Sequence, residues 1–275
     1  MKIYAAGIAL EGESVSGIGT CIAVPQYDIV FDVGICPKSA AHCRNVLITH
    51  SHIDHIGSAH IHAALRSLNS MSPTRFFVPP SVVEKFTRMM KMWAEIQHDE
   101  EIPCEIIPLA CGEEYMLKKG VYIRPFATDH RIDSQGYCIV EKRNKLRSEF
   151  AGMPVSEIAR ARKSGDVTES VDFLQIVYTG DTRASIWDSN KEISSARVII
   201  TESTYICNEK IVKDAHKWGH THINEIIDVL KRGVISNAET EALVITHFSS
   251  RYTSAEIDRW ISNINNAVAV NVLSL

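Results

Sequence analysis

Apolar residues in the first half of the chain recur in short runs separated by turn-forming residues, which is a β pattern. A strand is expected over Ile3 to Ala9, then an antiparallel pair, Thr20 to Val24 and Asp28 to Val33, joined at Pro25-Gln26-Tyr27. The next run, Asn45 to Thr49, reads as a buried strand that delivers its C-terminal loop to a site. A helix through Ala63 to Leu68 follows, then a strand at Arg75 to Val78 and a Ser81-capped helix from Val82 to about Gln97. Further strands are predicted at Cys104 to Ile107, Tyr115 to Leu117, Val121 to Ala127 and Gly136 to Val140. From Glu141 to about Val171 the pattern turns charged and helix-prone. Strands resume at Phe173 to Tyr178, Val198 to Thr201 and Ala242 to Thr246, interleaved with helices near Ile223 to Arg232 and Ser254 to Ile264. Strands, an insert, then strands with helices predict two stacked βα halves, an α/β protein of the αββα four-layer type. One domain is expected over 1–275, with the charged insert at 141–171.

Composition is compatible with that plan. Hydrophobic residues make up 45% of the 275 and charged residues 23%, enough to bury a substantial core and unlike a disordered chain. The formal net charge of -4 argues against wholesale coating of nucleic acid by a basic surface but leaves room for a local basic patch. No run approaches the ~18 apolar residues of a membrane helix, so no membrane partner is expected. The N-terminal MKIYAAGIALEGES is interrupted early by Gly and acidic residues, as a first strand would be and a signal peptide would not. Seven cysteines (Cys21, Cys36, Cys43, Cys104, Cys111, Cys138, Cys207) are odd in number and never spaced as C-x-x-C, which suggests neither a disulfide framework nor a cysteine zinc site. Mostly buried free thiols in a reducing, cytoplasmic compartment are the simpler expectation.

The densest chemistry follows the Asn45–Thr49 run. His50-Ser51-His52-Ile53-Asp54-His55 sets three imidazoles and a carboxylate within six residues, a ligand density that packing alone seldom produces. HSHIDH matches the H-x-H-x-D-H motif of the metallo-β-lactamase superfamily. Three further residues stand in that family's order, each in or just after a short apolar strand: His130 in ATDHRIDSQGY, Asp181 in YTGDTR and His247 in ITHFSSRY. The resemblance spans most of the chain and implies the αββα metallo-β-lactamase sandwich with two Zn2+ per subunit. It implies that His50, His52 and His130 hold one ion, that Asp54, His55 and His247 hold the other, and that Asp181 bridges them. Asp54 is open to either of two roles, ligation or action on the bound water. His/Asp sites also accept other divalent transition metals. Two ions ~3.5–4 Å apart would supply a metal-bound hydroxide as nucleophile and clamp the phosphodiester oxygens.

Within that superfamily the chain resembles ribonuclease Z. His130 precedes Ser134-Gln135-Gly136-Tyr137; Thr201-Glu202-Ser203-Thr204-Tyr205 resembles that family's HEATF string; Gly219-His220-Thr221-His222 resembles its GHST string; and His247-Phe248-Ser249-Ser250-Arg251-Tyr252 matches its final ligand string. The resemblance implies hydrolysis of the phosphodiester 3′ of the discriminator nucleotide in precursor tRNA, by a homodimer. Glu202 would orient His220, and His220 would protonate the leaving 3′ oxygen. Arg251 is open to phosphate contact or an intramolecular salt bridge. The segment from Val140 to Ile176 is too short for the long Gly/Pro-rich arm of the bacterial form and looks most like the short plant-type ribonuclease Z. Between Glu141 and Lys163 it carries seven basic residues, including Lys142, Arg143, Lys145 and Arg147, against three acidic ones. Such a segment could bind tRNA phosphates, or be a solvated helical face. Two other readings remain: a metallo-β-lactamase-fold phosphodiesterase on a cyclic nucleotide or other small diester, and a zinc-stabilised RNA-binding subunit without turnover. Retention of all seven ligand types favours catalysis over the latter.

Overall fold

A computed structural model describes residues 1–163, 165–206, 211–267 and 269–275. Cys207 lies outside the described residues; the other six cysteines are free thiols, of which Cys21, Cys43 and Cys138 are buried and Cys111 is exposed. The first sheet takes its strands in chain order: β1 (Lys2–Ala5), β2 (Ile8–Ser16), β3 (Gly19–Val24), β4 (Ile29–Phe31), β5 (Asn45–Leu47), β6 (Thr74–Val78) and β7 (Cys104–Pro108). Pairing is antiparallel as far as β4 and parallel from β4 to β7. The second sheet contains β8 (Tyr115–Lys118), β9 (Val121–Ala127), β10 (Gln135–Leu146), β11 (Thr168–Tyr178), β12 (Val198–Glu202) and β13 (Ala242–Thr246). A two-residue β14 (Phe248–Ser249) then crosses to pair with β2 of the first sheet, and β15 (Asn271–Ser274) completes the second on the far side of β13. The run Ile3–Ala9 is thus a hairpin rather than one strand. Ala6 (φ 49°) and Gly7 (φ 77°) form its left-handed turn, of which Gly7 is the sequence signal.

Apolar side chains alternate between the two faces of each sheet and build three core layers. Leu10, Ile22, Phe31 and Leu47 of the first sheet meet Ile139, Tyr178, Ile200 and Val244 of the second. On the outer face of the first sheet lie α1 (Ile53–Ile56), α2 (Ala59–Leu68) and α3 (Val83–Ile96), with Ala63, Phe86 and Met90 packed on Val30, Val46 and Phe76. α4 (Val155–Ala161) belongs to the insert. α5 (Ile186–Ser189), α6 (Val212–Trp218), α7 (Ile223–Lys231) and α8 (Ser254–Asn265) follow, and Trp187, Ile223, Ile226 and Ile261 cover the outer face of the second sheet at Val177, Ile199 and Leu243. The architecture is the expected αββα sandwich.

Two local expectations fail. Ser81 does not cap α3: its hydroxyl bonds the Asp133 carboxylate, and a 3-10 turn over Pro80–Val82 leads into the helix. The insert is not mainly helical either. β10 and β11 run past the sheet as an antiparallel ribbon, and α4 is its one described α-helix. The register sets Lys142 opposite Asp172 and Lys145 opposite Glu169, and such opposite-charge cross-strand pairs stabilise a two-stranded ribbon where a helix would lose them.

Candidate metal centre

Parallel strands deliver the polar residues from their C-terminal ends, where open α/β sheets build their sites. His50 and His52 follow β5, and α1 carries Asp54 and His55. Asp181 follows β11, Glu202 ends β12, and His247, at φ 60°, lies between β13 and β14. His130 comes from the β9–β10 connection and His220 from just beyond α6. All nine converge, although they are scattered over 198 positions of sequence (50 to 247).

The donor atoms form two groups. In the first, His50 Nε2 and His130 Nε2 stand 3.0 and 3.2 Å from His52 Nδ1, and Asp181 Oδ2 is 3.8 Å from His50 Nε2. In the second, His55 Nε2 and His247 Nε2 are 3.2 Å apart, and Asp181 Oδ1 lies 3.3 and 3.4 Å from them. Asp54 Oδ2 stands 3.5 Å from His247 Nε2 and accepts the Gly17 amide at 2.7 Å. Two nitrogens bound tetrahedrally to one zinc at ~2.0–2.1 Å lie roughly 3.3 Å apart, close to these separations. Asp181 therefore faces one group with each oxygen.

Hydrogen bonds behind the rings decide which nitrogens carry lone pairs. His130 Nδ1 donates to the Gly219 carbonyl at 2.7 Å, and His55 Nδ1 donates to Asp32 Oδ2 at 2.8 Å. The Thr49 hydroxyl donates to Asp32 and so accepts from His50 Nδ1 at 3.0 Å. On the other side of the site the Thr204 hydroxyl donates to Glu202 Oε2 at 2.7 Å and accepts from His247 Nδ1 at 3.0 Å. With the rings neutral, the form in which imidazole ligates a metal, each arrangement leaves Nε2 unprotonated and turned inward. In that form Asp181 Oδ1, fully buried and without a hydrogen-bond donor, meets the lone pairs of His55 and His247. Acceptors crowded on a buried, bare carboxylate oxygen are what a cation satisfies and protein donors do not. The residues present fit two divalent ions.

Asp32, Thr49 and Thr204, which hold the rings of the candidate ligands, are residues that reading the sequence missed. Asp32 is completely buried at the end of the apolar strand Ile29-Val30-Phe31, and that placement of a carboxylate is the one signal that could have exposed it. It also accepts the Tyr178 hydroxyl and the Thr49 amide, each at 2.8 Å.

The electrostatics follow from this packing. Burial alone would lift the Asp181 carboxyl, but the neighbouring charges of His247 and His55 hold it well below the carboxylate range. Burial depresses His55, yet Asp181 and Asp32 together raise it well above the histidine range; His50, without such support, is pushed well below by burial and the charge of His55. A field that draws a proton so strongly draws a divalent cation for the same reason. Glu202 is buried and accepts four bonds, from the Thr182 amide, His220 Nδ1, and the amide and hydroxyl of Thr204. Burial lowers His220, but the charge of Glu202, 2.9 Å away, overrides it and raises the imidazole to about 9.

The basic residues of the insert are elsewhere. β10 begins beside the site, where the Gln135 amide bonds Thr49 O, so at ~3.4 Å per residue Lys142 lies roughly 24 Å and Arg147 roughly 40 Å along the ribbon. Lys142 pairs with Glu114 at 2.7 Å and Arg143 with Glu141, while Lys145 and Arg147 are exposed. Arg251 is exposed on the turn after β14, near Tyr205.

The profile of the Beta-lactamase superfamily domain matches residues 32–248. A chloroplastic tRNase Z of Arabidopsis thaliana is 37% identical over 97% of this chain and 75% of its own length, and a second tRNase Z of that plant is 32% identical over 98% and 95%. The crystal structure of the human short-form tRNase Z superposes with a TM-score of 0.60 at 18% identity, covering 91% of this chain and 94% of that one. The sandwich, the Asp181-centred cluster and these near full-length matches lead to one conclusion: the chain belongs to the ribonuclease Z family of the metallo-β-lactamase superfamily.

Proposed function

We propose that the protein is an endoribonuclease that hydrolyses the phosphodiester 3′ of the discriminator nucleotide in precursor tRNA, using two divalent ions, zinc before other transition metals. His50, His52 and His130 would hold one ion, Asp54, His55 and His247 the other, and Asp181 both. The observation that carries the reading is the two-sided convergence on the bare Asp181 carboxylate with the Glu202–His220 pair beside it. When bound, the ions supply a water of lowered pKa and positive charge on the phosphodiester oxygens.

The chain's own groups do the rest. Asp54, anchored by the Gly17 amide, orients the attacking water. Glu202 holds the His220 imidazole protonated near neutral pH, with Nδ1 committed to the carboxylate, so Nε2 can release a proton to the departing 3′ oxygen. An alkoxide is a poor leaving group, so this proton is worth typically ~10²–10⁴ in rate. Lys145 and Arg147, exposed, and Lys142 and Arg143, which would exchange Glu114 and Glu141 for phosphate, would meet tRNA phosphates at a distance from the cut, and Arg251, exposed near Tyr205, would meet one closer to it.

A homodimer belongs to this reading. Ile61 and Leu68 of α2 and Met92, Trp93 and Ile96 of α3 are exposed apolar residues on one helical layer, which a second copy would cover. Among the described residues no helix is long and apolar enough to cross a membrane, and the six described cysteines are unpaired, which supports a reducing compartment, the cytoplasm in this proposal. The names of relatives include chloroplastic and nuclear forms, so imaging of the tagged chain in its own cells checks that part.

The zinc-loaded protein, incubated with a 3′-extended precursor tRNA and with bis(p-nitrophenyl) phosphate, tests the activity. Cleavage after the discriminator, abolished by Asp181→Ala and strongly slowed by His220→Ala, is expected. Turnover of the small diester with the precursor left intact would keep two-metal chemistry and refute the tRNA substrate.

A further inference from the structure

An aromatic and two cations sit at the rim of the metal centre without a part in the chemistry so far described. Trp218, the last residue of α6, is 47% exposed, a large fraction for a side chain of that size. The Arg131 guanidinium lies 4.9 Å from its ring centre and the Lys217 ammonium 5.6 Å. Both cations are exposed, and among the described residues neither is paired with a carboxylate. Their sequence neighbours Asp129 and Asp133 are committed elsewhere, to Arg183 and Ser185 and to Ser81.

The cluster is tied directly to the catalytic residues. Arg131 follows His130, and Trp218 precedes His220 by two positions. The two segments touch at Gly219, whose carbonyl accepts His130 Nδ1 and whose missing side chain admits the Arg131 backbone and stem: a Cβ there would stand 2.7 Å from His130 Nδ1, 3.0 Å from Arg131 N and 3.1 Å from Arg131 Cγ. The His130 and His220 rings are 5.3 Å apart. The Trp218 ring and its two cations are thus carried on the same two segments as these histidines, where a strand bound across them can reach the ring. An exposed aromatic flanked by unpaired cations is the composition of a single-strand RNA platform, with a base on the ring and phosphates on the cations, and it carries no base-edge readout.

We propose that Trp218, Arg131 and Lys217 form a nucleotide platform that holds the single-stranded RNA residue beside the scissile phosphodiester. The inference rests on the endoribonuclease reading for the identity of the strand, but not for the existence of the platform. It predicts sequence-tolerant binding, because every base has a face to stack and the backbone is common to all.

The test uses the full chain and a 5′-fluorescein hexauridylate, with binding read by anisotropy over a salt series. Trp218→Ala and Trp218→Leu should weaken binding ~5- to 150-fold, while Trp218→Phe, which keeps a stacking face, should recover most of it. Arg131→Gln should lower the slope of log affinity against log salt by about 0.7, the loss of one single-strand phosphate contact. On precursor tRNA the Trp218→Ala loss should appear in KM more than in kcat, and should exceed its loss on bis(p-nitrophenyl) phosphate. Unchanged hexauridylate binding by Trp218→Ala, or Phe and Ala variants equally impaired, would overturn the platform; the second result would assign Trp218 to packing under Arg131. Trp218-dependent binding of hexauridylate by a protein that leaves precursor tRNA intact would uphold the platform and refute the tRNA reading. Precursor cleavage with Trp218→Ala indifferent in every assay would do the reverse.

Discussion

Asp32→Asn is the sharpest probe of how the centre is held, because it changes one oxygen to an amide nitrogen at constant size. Asn also tolerates the left-handed backbone of this residue, φ 55°, about as well as Asp does, so the substitution adds little strain. Oδ2 accepts from His55 Nδ1 and the Tyr178 hydroxyl, both at 2.8 Å, and from the Thr49 hydroxyl at 2.9 Å; an amide NH2 there would oppose the first two donors, while the Thr49 hydroxyl can turn to Oδ1 at 3.1 Å. Each lost bond to a charged acceptor is worth about 1.5–3 kcal/mol, so the metal-free fold should lose roughly 3–6 kcal/mol. If His55 instead accepts from the new NH2, its proton moves to Nε2, the atom that faces Asp181. Either outcome disables His55, whereas the remaining oxygen can still accept from Thr49 and keep His50 in place. The Asp54–His55–His247 group should therefore lose ~10–100-fold in zinc affinity, the usual cost of an outer partner, with a smaller loss at the His50–His52–His130 group. Competition with a chromophoric chelator resolves the two equivalents. A variant that binds both as tightly as the parent would show that the hydrogen bond behind His55 does not govern ligation.

Other substitutions reach the site by different routes. Gly219→Ala should misplace His130, since its Cβ would meet Nδ1 at 2.7 Å and φ is +80°; a displacement of about 1 Å can cost ~10²-fold in turnover, and zinc stoichiometry should fall with it. Glu202→Gln removes the charge that raises His220 to about 9, so the proton leaves at lower pH and the alkaline limb of the pH–rate profile should move down; an unmoved limb would exclude His220 as the acid. Chelation should destabilise the parent by about 2.7 kcal/mol per ion, roughly 5.4 for two, relative to protein held at 100 times the metal Kd, read as a fall in the thermal midpoint. Asp181→Ala should show a much smaller fall, because both groups lose a ligand. Leu68→Asp, on a residue 81% exposed, should shift the molecule to a monomer by light scattering, with its far-UV circular dichroism unchanged, if α2 forms the dimer surface.

Some of this was legible in the order of residues and some was not. Candidate ligands that share one loop, His50 to His55, stand out because local density is a property of the chain itself. His130, Asp181 and His247 are individually ordinary, and they were identifiable only through a resemblance that includes their order and flanks. The insert misled for the opposite reason: its charges suit a solvated helix as well as a ribbon, and the pairing of Lys142 with Asp172 and Lys145 with Glu169 exists only once two distant segments are in register. Ser81 looked like a cap until the fold brought Asp133 to its hydroxyl.

Alternating apolar runs, a dense His/Asp loop and a family pattern were enough to predict the αββα class and to name the candidate donors and the Glu202–His220 pair, because periodicity, composition and motif order are written along the chain. Tertiary structure alone decided that Asp32 and Thr204 choose the tautomers, that Asp181 turns one oxygen to each group, and that Arg131 lies on Trp218. Those are contacts between residues up to 131 positions apart, as His50 and Asp181 are. Hydrogen-bond direction and desolvation depend on distances that no spacing rule encodes, so they come into being only when the two sheets close.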